Sequence, residues 1–414
     1  MTVKDKKAKK SWKERLKEKQ IKHQKALEAH RKRMEMDAAR KPRKISKGKI
    51  LMALCLVALV LGFFVAWQST QPSNQSNPSN PSQGEPTQPT ILNFIYILAD
   101  GKIEPETASI LRVKDTQYRF TADVSLPIIV ERDNIVIDGA GYTLQGSNVY
   151  GSRGIDLTDR NNVTVKNLTI KGFDYGIYLA SASNIILSKN NLTENYCGIW
   201  LTYSSNNIIS ANTITKNDGY GIWIKNSESN KIYENTITLH ANYTIYIGSS
   251  KDNVINDNLL TNNSLSIFLY LSDNNTISHN NIMANGNIGI YLYSSYNNAI
   301  SQNNITANRE GIQLSSSSKN LIIKNHLAHN DIGLDLSDSS SNVIYHNNFI
   351  DNVDHVFILN STNAWDDGKE GNYWSNYKEK YPDAEEIDGS GIWDTAYVID
   401  ENNRDRYPKV NPNF

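Results

Sequence analysis

The strongest constraint on the fold is a repeat of 22–23 residues that begins at Gly154 and continues to His355. Each repeat opens with a small residue, which is followed by an aliphatic residue and, two positions later, by another. This alternation is typical of a β-strand with one buried face. Aliphatic positions 11 and 16 residues after the opening residue predict two more short strands in each repeat. The sequence therefore predicts an all-β fold, a parallel β-helix of about ten coils.

Asparagine marks the corners between the predicted strands. It recurs 9, 14 and 19 residues after the opening residue, with one-residue slips, and His240 replaces one member of the third set. Asn tolerates left-handed backbone conformations, and stacked Asn amides can form hydrogen bonds from one layer to the next. A helical repeat would not tolerate so many turn-forming residues. We therefore expect three columns of stacked Asn side chains along the β-helix.

Three segments precede the repeats. Residues 1–49 contain 20 Lys/Arg and 6 Asp/Glu, which leaves 23 and 37 for the rest of the chain. The 18 uncharged residues Ile50–Trp67 would span about 27 Å as a helix, which predicts a transmembrane signal anchor. The charge asymmetry places residues 1–49, a basic arm of expected helical structure, in the cytoplasm, and everything after Trp67 outside the cell. Residues 68–90 are rich in Pro, Ser and Asn and predict a disordered linker.

The remaining boundaries follow from the repeat. Residues 154–359 form the coils, residues 91–153 the N-terminal cap and first coils, and residues 360–414 the C-terminal cap, because exposed strand edges at both ends need cover. The lipid bilayer is the expected partner of the anchor. For the basic arm we favour anionic lipid headgroups over nucleic acid. The alternative is that the arm is only a topology signal.

Six successive coils carry an aromatic residue at the position between the two buried residues of the first strand. These residues, here called the aromatic stripe, are Tyr178, Trp200, Trp223, Tyr246, Phe268 and Tyr291. The position must point outward, and a contiguous exposed aromatic patch usually marks an interaction site. Flat rings suit the apolar faces of sugars, so a polysaccharide or a cell-envelope glycan is the expected ligand. A homo-oligomer interface over the stripe, or cross-strand stacking without a ligand, would give the same pattern.

Carboxylates gather at one end of this stripe, in three adjacent coils. They are Glu310, Asp331, Asp335 and Asp354. Glycoside hydrolysis needs a pair of carboxyl groups, one as the acid and one as the base or nucleophile. An acidic surface without catalysis, or a cation site, would also explain the cluster. The sequence favours a protein without enzymatic activity over one that cleaves glycan.

Motifs at the ends of the outer domain carry a family resemblance. The segments are IVERDNIVIDGAGYTLQG (129–146), WDDGKEGNYWSNY (365–377), DGSGIWDTAYVID (388–400) and DRYP (405–408). Together with the GIYL-type coils, these segments resemble NosD-like β-helix proteins of the archaeal cell-surface type. Such PbH1-type repeats are shared with carbohydrate-binding proteins and sugar hydrolases. The resemblance covers roughly residues 91–414 and implies a right-handed β-helix that works outside the cytoplasm.

The resemblance also implies that copper or calcium could be bound. It brings in the copper-linked accessory role of the NosD proteins, although Met and His are scattered in this sequence. In the family's C-terminal loop it implies a calcium-type turn, for which Asp383, Asp388 and Asp394 are the candidate ligands, interrupted by other residues. Apart from calcium at this turn, the sequence predicts no cofactor.

These observations predict a membrane-anchored extracellular β-helix that binds glycan along the aromatic stripe without chemistry. The alternatives are a polysaccharide-cleaving enzyme with its carboxylates near Asp335, a structural envelope protein, and a copper-linked accessory protein.

Overall fold

The computed structural model describes residues 94–413. The predicted arm, anchor and linker, residues 1–90, lie outside the described residues. Within the part that is described, no helix has the length and hydropathy needed to cross a membrane.

The described chain is a parallel β-solenoid of about 12 turns with almost no helix. Three long sheets, here called A, B and C, run along it. The strands of sheet A are Ile103–Glu104, Ile95–Ile97, Ile128–Val130, Arg153–Asp156, Tyr175–Ala180, Cys197–Thr202, Tyr220–Lys225, Tyr243–Gly248, Leu265–Tyr270, Ile288–Tyr293, Glu310–Ser315, Ile332–Ser337 and Asp354–Leu359. All neighbours in this sheet pair parallel except the first two strands, which are antiparallel.

Sheets B and C complete each coil. The strands of sheet B are Ile110–Lys114, Gln117–Phe120, Ile135–Asp138, Val163–Lys166, Ile186–Ser188, Ile208–Ser210, Lys231–Tyr233, Val254–Asn256, Thr276–Ser278, Ala299–Ser301, Leu321–Ile323 and Val343–Tyr345. Those of sheet C are Thr143–Gln145, Thr169–Lys171, Asn191–Thr193, Thr213–Thr215, Thr236–Thr238, Leu259–Thr261, Asn281–Met283, Asn304–Thr306, His326–Ala328, Asn348–Ile350 and Tyr373–Trp374. A short helix, Tyr377–Lys380, and an antiparallel pair, Tyr397–Val398 with Arg404–Asp405, follow the last coil.

The register of the coils is as the repeat predicts. Ile177 pairs with Ile199 and Leu179 with Leu201 in sheet A, and the same offset continues from coil to coil. The inward-facing aliphatic residues of the three strands are buried in one continuous core, although Val356 and Ile358 in the last coil are only partly buried. Burial of these columns from water is the main stabilising term for a chain whose described cysteine is free.

The Asn columns exist, and each is a chain of side-chain hydrogen bonds. The first runs through Asn207, Asn230, Asn253, Asn275, Asn298, Asn320, Asn342, Asn363 and Asn403; the second through Asn190, Asn212, Asn235, Asn258, Asn280, Asn303, Asn325, Asn347 and Asn372; the third through Asn195, Asn217, His240, Asn263, Asn285, Asn308, Asn330 and Asn352. In nearly every step the Nδ2 of one residue donates to the Oδ1 of the next, toward the C-terminal end. Asn184, expected in the first column, lies one residue before it, because Ile185 holds the position in register with Asn207.

The left-handed conformation belongs to other residues than expected. The column asparagines do not adopt it, whereas the residues just before them do, for example Lys189, Ala211 and Glu234, with φ of +57°, +54° and +55°. The Asn side chain therefore acts as a bridge between layers rather than as the turn residue. Of the two reasons for expecting Asn at the corners, amide hydrogen bonding between layers is confirmed, whereas a left-handed conformation of the column residues is wrong.

The three columns end on groups that can accept a hydrogen bond. Asn403 donates to the carboxylate of Asp400 (2.9 Å), and the backbone N–H of Asn372 donates to Asp405 Oδ2 (2.7 Å). Asn352 Nδ2 lies 3.4 Å from Nδ1 of His355. Because the columns point their donors toward this end, these acceptors satisfy amide hydrogens that would otherwise be buried without a partner. The Nδ2 of Asn363 is the exception, since it is buried and has no partner among residues 94–413.

Candidate functional site

The aromatic stripe lies in register on the outward face of sheet A. Trp200 pairs with both Tyr178 and Trp223, and the pairing continues through Tyr246 and Phe268 to the last ring. Their strand neighbours at alternate positions belong to the core, whereas the stripe residues do not. The sequence therefore places all six rings on one side of the solenoid.

Within the stripe, rings stack on one another along the solenoid axis. The indoles of Trp200 and Trp223 are 4.8 Å apart between centroids and 4° from parallel, and Trp223 and Tyr246 are 3.9 Å apart. Phe268 and Tyr291 form a further stacked pair at 4.9 Å. Trp223 therefore has an aromatic ring against each of its two faces.

The expectation that all six rings are exposed is wrong for half of them. Tyr178, Trp200 and Trp223 are half-buried, but Tyr246, Phe268 and Tyr291 are buried. Part of the reason lies on the same strands. The flanking residues Tyr243, Tyr270 and Tyr293 contribute rings whose centroids lie within 6.4 Å of the stripe, most of them edge-on. The flanking tyrosines therefore cover stripe rings as well as widen the patch.

The predicted carboxylates continue the same face. Gln313 and Asp335 follow Tyr291 in the stripe's register, and Glu310 stands in the neighbouring outward column beside Ile332 and Ile288. Glu310 and Asp335 are both buried. Burial raises the pKa of Glu310, against the lowering effect of Arg309, whose guanidinium donates to Glu310 Oε1 (2.7 Å).

Burial also raises the pKa of Asp335 well above its usual range, and the charge of Glu310 raises it further. The hydroxyl of Ser337 donates to Asp335 Oδ1 (3.1 Å). Of the other two candidates, Asp331 is exposed and Asp354 is half-buried. The charge of Asp331 raises the pKa of Glu310 further. A carboxyl group with a raised pKa stays protonated at a higher pH than an ordinary one and can therefore act as a general acid.

The predicted metal ligands do not form a ligand cluster. Among residues 94–413 no group of three or more His, Cys, Asp or Glu side chains is placed to hold a metal ion. Asp394 Oδ1 instead accepts the backbone N–H of Glu385 (3.1 Å) and the hydroxyl of Thr395 (3.0 Å). Calcium at Asp383, Asp388 and Asp394 stays a prediction, and no step involving copper is derived for this chain.

A groove that the sequence analysis missed runs along the corner after sheet A. It encloses about 780 Å³ and lies between the exposed side chains of Tyr203 and Leu271, three coils apart. The sequence signal for it is the corner column itself, in which Ser and Asn prevail and these two bulky residues stand out.

Family models match most of the solenoid. Residues 153–304 match the family described as right handed beta helix region, and residues 238–379 match the family described as periplasmic copper-binding protein (NosD). The second match includes the WDDGKEGNYWSNY segment after the last coil. The described part of the chain is therefore a parallel β-helix with segments similar to these two families. No curated protein matches this sequence significantly.

Solved structures similar to this chain include two polysaccharide epimerases and a DFA-IIIase. A variant of the periplasmic alginate epimerase AlgG is 16% identical, covers 66% of this chain and 81% of its own, with a TM-score of 0.48. The A-module of a mannuronan C-5 epimerase from Azotobacter vinelandii is 16% identical over 59% and 78%, with a TM-score of 0.45. A DFA-IIIase from Arthrobacter chlorophenolicus is 14% identical over 50% and 54%, with a TM-score of 0.38. At these values the likeness carries no argument about activity.

Proposed function

We propose that this chain is a membrane-anchored extracellular protein that binds glycan along the aromatic stripe and does no chemistry on it. In this proposal the anchor is the apolar segment Ile50–Trp67, and its basic flank supports a position of the following residues outside the cell. The observation that supports binding is the in-register, half-exposed ring set Tyr178, Trp200 and Trp223 on three successive coils.

The half-exposed end of the stripe has the properties of a sugar contact. Tyr178, Trp200 and Trp223 are half-exposed, so a sugar ring can contact the apolar aromatic surface that they leave open. The Nε1 of Trp223 is buried and has no hydrogen-bond partner within residues 94–413. A buried donor without a partner is costly, so a movement of the indole that let a ligand hydroxyl accept from this N–H would favour binding.

Loss of the two indoles is the test. In the purified full-length chain we expect Trp200→Ala with Trp223→Ala to weaken glycan binding at least ~30-fold, because truncating two aromatic anchors removes about 2 kcal/mol or more. Binding is measured on an array of neutral and acidic glycans and then by calorimetry with the best ligand. The matched control is Tyr233→Ala, an outward aromatic residue of the same coil on sheet B.

Two results would contradict the proposal. Wild-type protein that binds no glycan, together with an oligomer that the double substitution dissociates, would assign the stripe to a subunit interface. Equal binding by the double variant and the wild type would assign the ligand to another surface.

A second candidate function, glycan cleavage, is favoured by one observation. Glu310 and Asp335 are both buried at the end of the stripe in successive coils, and the pKa of each is raised by burial, that of Asp335 also by the charge of Glu310. If the wild type releases reducing ends from a bound glycan, Asp335→Asn is expected to lower the rate at least ~100-fold, the usual contribution of a general acid. Asp338→Asn is the control, since Asp338 is exposed and has a φ of +49° that Asn tolerates. Release by neither protein leaves binding alone as the function.

A further inference from the structure

The groove at the corner after sheet A, here called the corner groove, is a second concave surface beside the stripe. It is lined among others by Tyr203, Asn226, Glu228, Ser249, Lys251 and Leu271, which come from four successive coils. With about 4.8 Å between coils, the distance from Tyr203 to Leu271 along the axis is about 14 Å. The groove is therefore long enough for several units of a linear ligand.

Tyr203 and Leu271 are unusual residues for the positions they occupy. Both have left-handed backbone conformations, with φ of +49° and +50°, in a column where the neighbouring coils have Ser181, Ser249 and Ser294. A bulky residue is disfavoured in this conformation. The Tyr203 side chain is 67% exposed and that of Leu271 49% exposed, so neither gains from burial in the core. Residues held at a backbone cost, without packing in return, favour a role in binding.

Between these two side chains the groove is polar and nearly neutral. Asn226 and Ser249 offer an amide and a hydroxyl, and Lys251 lies 3.3 Å from Glu228 in an ion pair. With Asp273 as the remaining charged residue, the lining has one net negative charge. Hydroxyl groups of a neutral ligand fit such a lining, whereas a polyanion such as a uronic-acid chain would face repulsion.

A peptide is a poorer fit than a sugar because no strand can be added here. The backbone N–H of Asn226 already donates to Gly248 O (3.1 Å), and that of Ser249 to Tyr270 O (2.9 Å). Binding by strand addition needs unpaired backbone groups at a sheet edge. The corner groove offers side chains and one exposed aromatic ring instead.

The corner groove adjoins the aromatic stripe through Gly248. A Cβ at this glycine would come within 2.5 Å of the Tyr246 hydroxyl and 2.6 Å of its ring, so the ring of Tyr246 lies across Gly248. Gly248 is the last residue of its strand and Ser249, in the groove, follows it directly. The absence of a side chain at Gly248 lets the ring of a stripe residue reach the rim of the groove.

We propose that the corner groove binds a short neutral oligosaccharide segment, with a sugar stacked on Tyr203, as an extension of the site on the stripe. This inference rests on the proposed function, since the stripe holds the rest of the same glycan. It adds the chemical class of the ligand: neutral sugars rather than uronic acids.

The test uses Tyr203→Ser with Leu271→Ser in the full-length chain. Serine occupies this column in neighbouring coils, so the fold is retained, and circular dichroism and the melting temperature verify it. Binding is measured on an array of neutral and uronic-acid tri- to hexasaccharides. We expect the wild type to bind neutral members and the double variant to bind them at least ~10-fold more weakly, as for loss of one stacking ring and its apolar partner. Tyr142→Ser, at an exposed tyrosine just before the sheet C strand Thr143–Gln145 and outside both surfaces, is expected to bind as the wild type does.

The outcomes separate this inference from the proposed function. Neutral glycan binding that the Trp200 and Trp223 substitutions abolish, but that the groove substitutions leave unchanged, overturns the groove alone. Binding restricted to uronic-acid glycans overturns the assignment of the ligand class. Absence of glycan binding by the wild type overturns both proposals.

Discussion

Replacing Asn258 by leucine is expected to lower the free energy of unfolding by about 5 kcal/mol, although the two side chains are similar in size. Asn258 is buried in the middle of the second Asn column. Its Oδ1 accepts both the backbone N–H and the Nδ2 of Asn235, each at 3.0 Å. Its Nδ2 donates to Ile232 O (2.9 Å) and to Asn280 Oδ1 (2.9 Å). Leucine can replace none of these bonds, so polar groups in two adjacent coils lose partners in a place that water does not reach, at about 1–3 kcal/mol each.

The measurement is the midpoint of guanidinium unfolding, combined with amide hydrogen exchange. In a solenoid each coil contacts only its neighbours, so the loss of protection should centre on the coils that contain Asn235 and Asn280 and fade along the axis. The control is Asn256→Ala, two residues away at the end of the preceding strand, Val254–Asn256. A loss for Asn258→Leu no larger than that of the control would contradict the role given to the columns.

The fold followed from the sequence because the inward positions of a parallel solenoid repeat with the coil. Ile177 and Ile199 are equivalent in sequence and in space, and a column of such residues can be buried only if the coils lie in register. The sequence did not predict which residue at each corner has the left-handed backbone conformation. Lys189 and Glu234 adopt left-handed conformations without any preference for them, because the Asn that follows each one is fixed by bonds to both neighbouring coils.

For the candidate site, side-chain direction was predictable and side-chain environment was not. Alternation along a strand decides that Trp200 and Tyr291 point outward on the same face, and they do. It does not decide whether rings lie open or against each other, since that depends on χ angles and on what packs beside them. Trp200 is half-buried and Tyr291 buried for this reason. The corner groove escaped notice because its signal, Tyr203, is a departure from a column rather than a member of one.

The replacement of one column member by histidine gives the third Asn column a dependence on pH. His240 Nε2 lies 3.1 Å from Nδ2 of Asn217, and Nδ1 lies 3.3 Å from Oδ1 of Asn263. A neutral ring with its proton on Nδ1 imitates Asn, because it accepts from Asn217 and donates to Asn263. A second proton on Nε2 would point at the amide donor of Asn217. Burial lowers the pKa of His240 to about 4, against the raising effects of Asn263 and the backbone of Thr238.

His240→Asn is therefore expected to stabilise the protein at acidic pH and to change little at pH 7. The ordinary pKa of His is about 6.5, so between that value and about 4 the unfolded chain binds a proton at His240 that the folded chain does not. Stability consequently falls as pH falls through this window, by about 3 kcal/mol in total. Asparagine removes this loss, whereas His355, whose pKa is also lowered to about 4 by burial, contributes equally to both proteins. The unfolding midpoints of the two proteins should diverge steadily from pH 7 to pH 4, and parallel curves would show that His240 takes up its proton inside the folded column.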